Sequence, residues 1–241
     1  MAEPLVLLPG LSTSAEVWGE VRARLGSIDC IAPEHPASAS VDEIASAHLA
    51  RLPERFSLAG FSFGGYVALA MAAAAPERIA RLALVSTGAG SDSPEGRSNR
   101  EKLIGLAREG RYETIDARMA PLLVHPDHRD LPAINATRSR MFASYGVERY
   151  VMHQRAAGAR PSRVELLPRL ELPVLVAVGR EDRITPPALS EHIARAVPGA
   201  ELVMLDRCGH LAPLEATAAL ASALARWMGR GTRKPETMKT N

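Results

Sequence analysis

Six short apolar runs alternate with longer amphipathic stretches along this chain. Residues 5–8 are all apolar and stop at Pro9-Gly10, which is typical of a strand buried on both faces. Alternation of strands with helices predicts an α/β fold with right-handed crossovers and a mostly parallel, doubly wound sheet of about six strands. The other predicted strands are 27–32, 56–59, 81–86, 173–178 and 201–205, and the predicted helices are 15–25, 41–52, 62–75, 187–197 and 210–228.

The alternation is interrupted over residues 89–168, where no strand-like run occurs and helical periodicity rich in Arg and Glu dominates. We interpret this segment as an inserted helical cap on a core formed by residues 1–88 and 169–228. Residues 229–241 are polar and lack apolar periodicity, which predicts a flexible tail.

Composition and charge narrow the possible partners. Of the 241 residues, 46% are hydrophobic and 23% are charged, which is the balance of an ordinary globular protein and excludes a largely disordered chain. The net charge is only +2, and no long basic run occurs. A nucleic acid is therefore not expected as a partner.

Cysteine content and the N-terminal residues predict a cytoplasmic protein. Cys30 and Cys208 are too few for a disulfide scaffold or a four-cysteine zinc site, and reduced thiols suit a reducing compartment. The N-terminus lacks the basic region and the long apolar core of a signal peptide. The uncharged stretch 56–76 has about the length of a membrane span, but its glycines and Ser62 favour a strand, a turn and a buried helix. No membrane association is expected.

The first candidate for chemistry is the motif G-x-S-x-G at residues 60–64. In this motif a sharp turn between a strand and a helix lifts the hydroxyl of the central serine, here Ser62, above the sheet. The motif follows the apolar run 56–59 and opens an alanine-rich helix, as that mechanism requires. Taken alone, the segment could also be a glycine-rich turn with a surface serine.

A serine hydroxyl needs an adjacent base, and the base needs an orienting carboxylate. Asp182 follows the predicted strand 173–178, and His210 follows the predicted strand 201–205. Each could have another role, because Asp182 could cap a helix and His210 could lie exposed in a first helical turn. Together with Ser62, however, they follow three strands of one parallel sheet, which predicts that they meet at one edge.

Hydrolysis through a tetrahedral intermediate also needs two backbone donors for the oxyanion. The N–H of Phe63, at the start of the helix after Ser62, is the first candidate. The N–H of Leu11 is the second, because Gly10 allows the chain to turn toward the serine after the first strand. Pro9-Gly10 could also be only a turn.

The segments GFSFGG, GREDRITPP and CGHLAPLE resemble the α/β-hydrolase superfamily, in its cap-bearing serine hydrolase branch. The layout is similar to pimeloyl-carrier-protein methyl ester esterases, meta-cleavage-product hydrolases and enol-lactonases. The resemblance implies Ser62 as the nucleophile, His210 as the general base and Asp182 as its orienting acid. Two features depart from the family: Pro9-Gly10 stands where His-Gly is common, and two strands that often precede it are missing. A serine at the elbow excludes haloalkane dehalogenase and epoxide hydrolase chemistry, which use a carboxylate there.

Three other residues compete for these roles. Cys208 is close to His210 in sequence, but related cysteine enzymes carry the thiol at the elbow. Asp92 follows the fourth predicted strand, where some relatives keep their acid, but it stands in a loop six residues past Ser86. Asp206 is on the same loop as His210 and cannot easily reach the far ring nitrogen. The other histidines lack metal-ligand spacing, so no metal site and no cofactor are expected.

These features predict a serine hydrolase that cleaves a small or medium carboxylic ester, acting as a monomer or a homodimer. The same triad is compatible with carbon–carbon bond hydrolysis, lactone opening or perhydrolysis. A carbon–carbon hydrolase should have a cationic group in the cap for the acid of its substrate, and Arg138, Arg140 and Arg155 are candidates. A third possibility is a non-catalytic ligand-binding protein of the same fold. For the ester hydrolase an apolar acyl pocket is expected from the cap residues Met119, Leu123, Phe142 and Met152, although such residues could also serve only in helix packing.

Overall fold

A parallel sheet of six strands lies at the centre of the protein in the computed structural model, which describes residues 3–229. The strands lie in the order β2-β1-β3-β4-β5-β6. All neighbouring strands are parallel. The predicted parallel sheet of six strands is thereby confirmed. Its members are β1 Leu5–Leu8, β2 Cys30–Ile31, β3 Phe56–Phe61, β4 Ile79–Val85, β5 Val174–Gly179 and β6 Glu201–Leu205. Of the predicted tail, residues 230–241 lie outside the described residues.

Helices cover both faces of the sheet, as the predicted doubly wound architecture requires. They are α1 Gly19–Leu25, α2 Val41–Leu49, α3 Phe63–Ala74, α8 Pro187–Ala196, α9 Ala212–Glu215 and α10 Thr217–Met228. Side chains of a strand alternate between faces, so Leu5 and Leu7 of β1 pack with α1 and α10, whereas Val6 and Leu8 pack with α2, α3 and α8.

Four helices lie between β4 and β5, in the segment interpreted from the sequence as a cap, and they are called the cap below. They are α4 Pro94–Arg108, α5 Tyr112–Leu123, α6 Pro132–Tyr145 and α7 Val147–Ala159. The cap has a small apolar cluster of its own, in which the rings of Tyr112 and Phe142 stack with centroids 4.1 Å apart. The boundaries of the cap at residues 89 and 168 stay a prediction.

Most predicted elements shift by a few residues at their ends, and two of the differences are described here. The strand predicted at 27–32 is reduced to Cys30–Ile31 at the edge of the sheet, because its first residues lie in the turn after α1, where the N–H of Ile28 donates to the carbonyl of Leu25. The single helix predicted at 210–228 is two helices, since Ala216 interrupts it with φ −121°. His210 therefore lies in a loop before α9. Among the described residues, no helix combines the length and apolar character of a membrane span.

Candidate active site

The turn between β3 and α3 carries Ser62 in a backbone conformation that residues other than glycine rarely adopt. Its φ is 51° and its ψ is −114°. The surrounding glycines make this tight turn possible. A Cβ atom at Gly60 would lie 2.3 Å from the carbonyl oxygen of Gly64, and one at Gly64 would lie 2.5 Å from the carbonyl oxygen of Leu8. The missing side chains thus let strand, helix and the loop after β1 meet directly beneath the serine hydroxyl.

Ser62, His210 and Asp182 form one continuous chain of hydrogen bonds. Ser62 Oγ lies 2.9 Å from His210 Nε2, and His210 Nδ1 lies 2.9 Å from Asp182 Oδ2 and 3.1 Å from Oδ1. Because an ionised carboxylate only accepts, Nδ1 carries the proton of the neutral ring and Nε2 is free to accept from the serine hydroxyl. The imidazole is therefore oriented to take the proton of Ser62.

Asp182 is held as a carboxylate by the turn that follows β5. Its Oδ1 accepts the backbone N–H groups of Ile184 and Thr185, both at 2.9 Å, and its Oδ2 accepts the Thr185 hydroxyl at 2.8 Å. Burial favours the neutral acid, but the attraction of His210 and these hydrogen bonds outweigh it and hold the pKa of Asp182 below its usual range. Sequence reasoning missed Thr185, although its position three residues after the acid is a usable signal.

The loop of His210 is anchored to the cap through backbone and carboxylate contacts. The N–H groups of His210 and Leu211 donate to the carbonyl of Leu123, at the end of α5, at 2.9 and 3.1 Å. The buried carboxylate of Glu215 accepts from the N–H groups of Gly209 and Leu211, both at 3.1 Å, and from that of His125 at 2.6 Å. Sequence reasoning missed Glu215 as well, although it stands in the quoted segment CGHLAPLE. The position of the base thus depends on the docking of the cap.

The two predicted oxyanion donors, Leu11 and Phe63, line the same cavity as Ser62. Phe63 is the first residue of α3, where backbone N–H groups have no intrahelical acceptor. Among residues 3–229, neither the N–H of Phe63 nor that of Leu11 donates a hydrogen bond. A Cβ atom at Gly10 would lie 3.3 Å from Ser62 Cβ, so the loop after β1 packs against the turn that carries the serine.

A cavity of about 550 Å³ lies between the cap and the sheet and opens onto Ser62 and His210. Of the four predicted pocket residues, Met119, Leu123 and Phe142 line it. The expectation for Met152 is wrong, because Met152 does not line the cavity. On α7 the cavity side is formed by Tyr150, Gln154 and Ala157. Two residues after Tyr150 the helix has turned by about 200°, so Met152 points away.

One wall of the cavity carries charged residues that sequence reasoning did not place there. Asp92 is paired with both Arg100 and Arg160, one on each carboxylate oxygen. Burial favours the neutral acid here too, but the two guanidinium groups keep the pKa of Asp92 below its usual range. The rival acid Asp92 therefore pairs with arginines, and it is Asp182 that hydrogen-bonds to His210.

The cap arginines considered from the sequence lie in different surroundings. Arg138 lines the cavity and is paired with Asp116. Arg140 pairs with Glu16 at the surface, and Arg155 is exposed.

The remaining rivals make no hydrogen bond to Ser62 or His210 within residues 3–229. Cys208 is fully buried, and burial raises the pKa of its thiol far above the usual range, so it is not a nucleophile near neutral pH. Asp206 pairs with Arg180 at the surface. Within residues 3–229, no group of three or more His, Cys, Asp or Glu side chains could hold a metal ion.

The sequence matches a family model and is similar to several known proteins. The model of the alpha/beta hydrolase family matches residues 5–223. The chain is 29% identical over 225 residues to a pimeloyl-[acyl-carrier protein] methyl ester esterase of Nitrosomonas europaea, covering 86% of this chain and 88% of that protein. It is 28% identical over 166 residues to a 2-hydroxy-6-oxononadienedioate/2-hydroxy-6-oxononatrienedioate hydrolase of a Pseudomonas species, covering 67% of this chain but only 59% of that protein.

Among solved structures, a thermophilic esterase from Thermogutta terrifontis superposes with a TM-score of 0.88 and 29% identity, covering 95% of this chain and 90% of that one. The family model spans most of the sequence, including the three segments that carry Ser62, Asp182 and His210. The chain belongs to the alpha/beta hydrolase family.

Proposed function

We propose that this protein is a serine hydrolase that cleaves a small or medium carboxylic ester through an acyl-enzyme on Ser62. The observation that carries the proposal is the continuous hydrogen-bonded chain from Ser62 Oγ through His210 to Asp182. A serine hydroxyl is a weak nucleophile near neutral pH, and this chain supplies both a base and the group that orients it.

In the proposed reaction Ser62 Oγ attacks the ester carbonyl while His210 Nε2 takes the hydroxyl proton. The N–H groups of Leu11 and Phe63 stabilise the oxyanion of the tetrahedral intermediate. His210 then passes its proton to the leaving alkoxide, and the acyl group remains on Ser62. A water molecule, deprotonated by the same imidazole, releases the acid and restores the serine.

The character of the cavity supports a substrate with an apolar portion. Leu103, Met119, Leu123 and Phe142 line the side formed by the cap. A volume of about 550 Å³ is within the range of sites for small molecules. The relatives named as esterases, from Nitrosomonas europaea and Thermogutta terrifontis, support ester hydrolysis as the reaction.

A second candidate, hydrolysis of a carbon–carbon bond in an acid-bearing substrate, is favoured by the charged wall. Three arginines and two aspartates line the cavity, which leaves one excess positive charge. Arg100 and Arg160 share the single carboxylate of Asp92. The Pseudomonas relative is named as a hydrolase of a dienedioate. Lactone opening and perhydrolysis would use the same triad.

A substrate panel tests these candidates. p-Nitrophenyl esters of increasing acyl length, a dienoic diketone acid and a lactone are assayed with wild type and Ser62→Ala. We expect turnover of the short and medium esters, and a loss of about a millionfold in Ser62→Ala because the triad acts as a unit. Turnover of the diketone acid without that of esters would favour the second candidate. Ester turnover by Ser62→Ala near the wild-type rate would contradict the proposed mechanism.

A further inference from the structure

Three buried histidines lie beneath the loop after β1 and take no part in the proton transfer. His35 stands between β2 and α2, His48 is on α2, and His153 is on the cap helix α7. Their exposed fractions are 4%, 5% and 0%. None of them lines the catalytic cavity. Buried polar rings of this kind must have hydrogen-bond partners, and these partners connect them to the candidate oxyanion hole.

His35 has both ring nitrogens engaged. Nε2 lies 2.9 Å from the carbonyl oxygen of Pro9, and Nδ1 lies 2.9 Å from Nε2 of His48. A carbonyl only accepts, so Nε2 of His35 carries the proton and Nδ1 accepts from His48. Burial, together with the neighbouring His48, holds the pKa of His35 well below its ordinary value and so favours the neutral ring, whose tautomer is set by these two hydrogen bonds.

The ring of His35 also packs against Phe63, which carries the other candidate oxyanion donor. Its centroid lies 5.4 Å from that of Phe63, edge to face. Phe63 in turn stacks on His153 with centroids 5.0 Å apart. Nε2 of His153 donates to the carbonyl of Pro36, the residue next to His35, at 2.9 Å. His35 therefore contacts both segments that carry the candidate donors. The cap residue His153 contacts Phe63 and Pro36 beside it.

The Leu11 N–H belongs to the Gly10–Leu11 peptide, and the bond from His35 holds the planar peptide before it, so His35 acts on the donor through the position of Gly10. The Pro9–Gly10 peptide is held at its oxygen by His35. The next peptide, Gly10–Leu11, is held at its oxygen by the hydroxyl and the N–H of Thr13, at 2.9 and 3.3 Å. Since the C=O and N–H of one peptide point in opposite directions, fixing the Gly10 oxygen also fixes the direction of the Leu11 N–H.

We propose that His35 is a positioning residue of the oxyanion hole, which holds the loop of Leu11 against Phe63 through the Pro9 carbonyl. The proposal rests on the proposed ester hydrolysis. A misplaced oxyanion donor weakens binding of the transition state but not of the ground state, so its effect falls on kcat.

A pair of amide substitutions tests this role. The longer amide of His35→Gln reaches the place of Nε2 and can still donate to Pro9, whereas that of His35→Asn is one methylene shorter and cannot. We expect His35→Gln to keep most of the wild-type kcat on a p-nitrophenyl ester. His35→Asn should lose about tenfold in kcat at nearly unchanged KM, less than the roughly hundredfold loss of a whole donor. Thermal unfolding verifies that both variants are folded at the assay temperature.

A thionoester gives a readout that a purely structural defect would not change. Its sulfur accepts hydrogen bonds poorly, so the rate ratio of the ester to its thionoester reports on the oxyanion hole. The ratio should fall in His35→Asn and not in His35→Gln. The matched control is Tyr112→Phe, which deletes a buried cap hydrogen bond to the carbonyl of Phe142, 3.0 Å long, and should leave the ratio unchanged.

The outcomes separate this proposal from the proposed function. Equal kcat and equal rate ratios in wild type, His35→Gln and His35→Asn would overturn the role of His35 and leave ester hydrolysis intact. Absence of ester turnover in wild type would count against the proposed function. Nitrogen-15 NMR of the wild-type histidines tests the geometry in either case: a proton on Nε2 of His35 is expected, and a proton on Nδ1 alone would overturn the proposal.

Discussion

Single hydrogen bonds decide how the candidate triad is oriented. Asp182 accepts from His210, from two backbone N–H groups and from the hydroxyl of Thr185, so each carboxylate oxygen has a fixed set of donors. A carboxylate held in this way keeps the imidazole in the tautomer that can accept from Ser62. The hydroxyl of Thr185 also lies 3.2 Å from His210 Nδ1, so it limits how far either side chain can turn.

Thr185→Val should therefore weaken catalysis without removing a reacting group. The substitution keeps the side-chain shape and deletes the 2.8 Å hydrogen bond to Asp182. We expect kcat to fall about tenfold, from the loss of roughly 1.5 kcal/mol that a hydrogen bond to a charged group contributes, with little change in KM. Steady-state kinetics on a p-nitrophenyl ester measure this. Thr114→Val, which deletes an exposed hydroxyl contact in the cap, is the control; equal kcat in the two variants would contradict the role of Thr185.

Some of the residues at the site could be predicted from the sequence, and others could not. Ser62, Asp182 and His210 each follow an apolar run, and parallel topology alone predicts that such residues meet. Other residues are brought to the site by loop conformations and helix rotations, which leave no strong periodic signal in the sequence. These residues are Thr185, Glu215, Arg100 and Arg160. Met152 illustrates the same limit, because an apolar residue on a cap helix does not reveal which side of the helix faces the cavity.

At the scale of elements, the junction of β1, β3 and α3 positions the nucleophile. A Cβ atom at Gly64 would lie 2.5 Å from the Leu8 carbonyl and 2.6 Å from that of Pro9, so strand end and helix start are in backbone contact. The cap is joined to the opposite side of the site through the bonds from His210 and Leu211 to Leu123. Nucleophile and base therefore depend on two different packing contacts.

Replacing glycine by alanine should have opposite effects on the stability of the protein at Gly64 and at Gly105. Gly64→Ala should lower the free energy of unfolding by about 2 kcal/mol or more, because the new Cβ overlaps backbone atoms that cannot yield cheaply. Gly105 lies in the interior of α4, and no atom lies within 4 Å of the Cβ that Gly105→Ala would add. This substitution should raise the free energy of unfolding by about 0.5–1 kcal/mol. Urea unfolding of both variants measures the difference, and a stabilised Gly64→Ala protein would contradict the contact described here.

Element bounds were predictable where local signals are strong. β1 and β6 have the predicted bounds because the apolar run of β1, and the four apolar residues after Glu201 in β6, are each followed by a break in the pattern. β2 is shorter than predicted because it is an edge strand with only one neighbour and its first predicted residues lie in the turn after α1. The break at Ala216 within the predicted last helix has no equivalent in the hydrophobic pattern.

At the scale of the whole molecule, the buried histidines make folding dependent on pH. Burial and, next, the charge of Arg51 lower the pKa of His48 to about 4, against about 6.5 for an unfolded chain. Between these values the unfolded chain binds more protons than the folded protein. The free energy of unfolding therefore rises with pH in this window, and the contribution of His48 is lost as pH falls from about 6.5 to 4.

His48→Gln should flatten this dependence. An amide can still donate to His35 but does not titrate, so up to about 3 kcal/mol of the change in unfolding free energy between pH 6.5 and 4 should disappear. Urea unfolding at several pH values in this range measures the slope. The control is Thr114→Val, an exposed substitution that changes no titratable group and should keep the wild-type slope. If the free energy of unfolding changed with pH equally steeply in His48→Gln and wild type, this pH dependence would not come from His48.

The overall architecture was the most predictable level, because buried parallel strands are nearly continuous apolar runs and a parallel sheet requires crossover helices. Substrate choice was the least predictable. It depends on the cavity between cap and sheet, where Asp92, Arg100 and Arg160 from separate segments come together.

The most direct test of the account is the labelling of Ser62 by a fluorophosphonate, because that reagent reacts only with an activated oxygen. Intact mass and peptide mapping should find one adduct, on Ser62 in the wild-type protein, formed at least a thousandfold more slowly in His210→Ala, since the imidazole and serine act as a unit. An adduct on another residue, no adduct at pH 8, or equal labelling rates in wild type and His210→Ala would contradict a serine activated by His210.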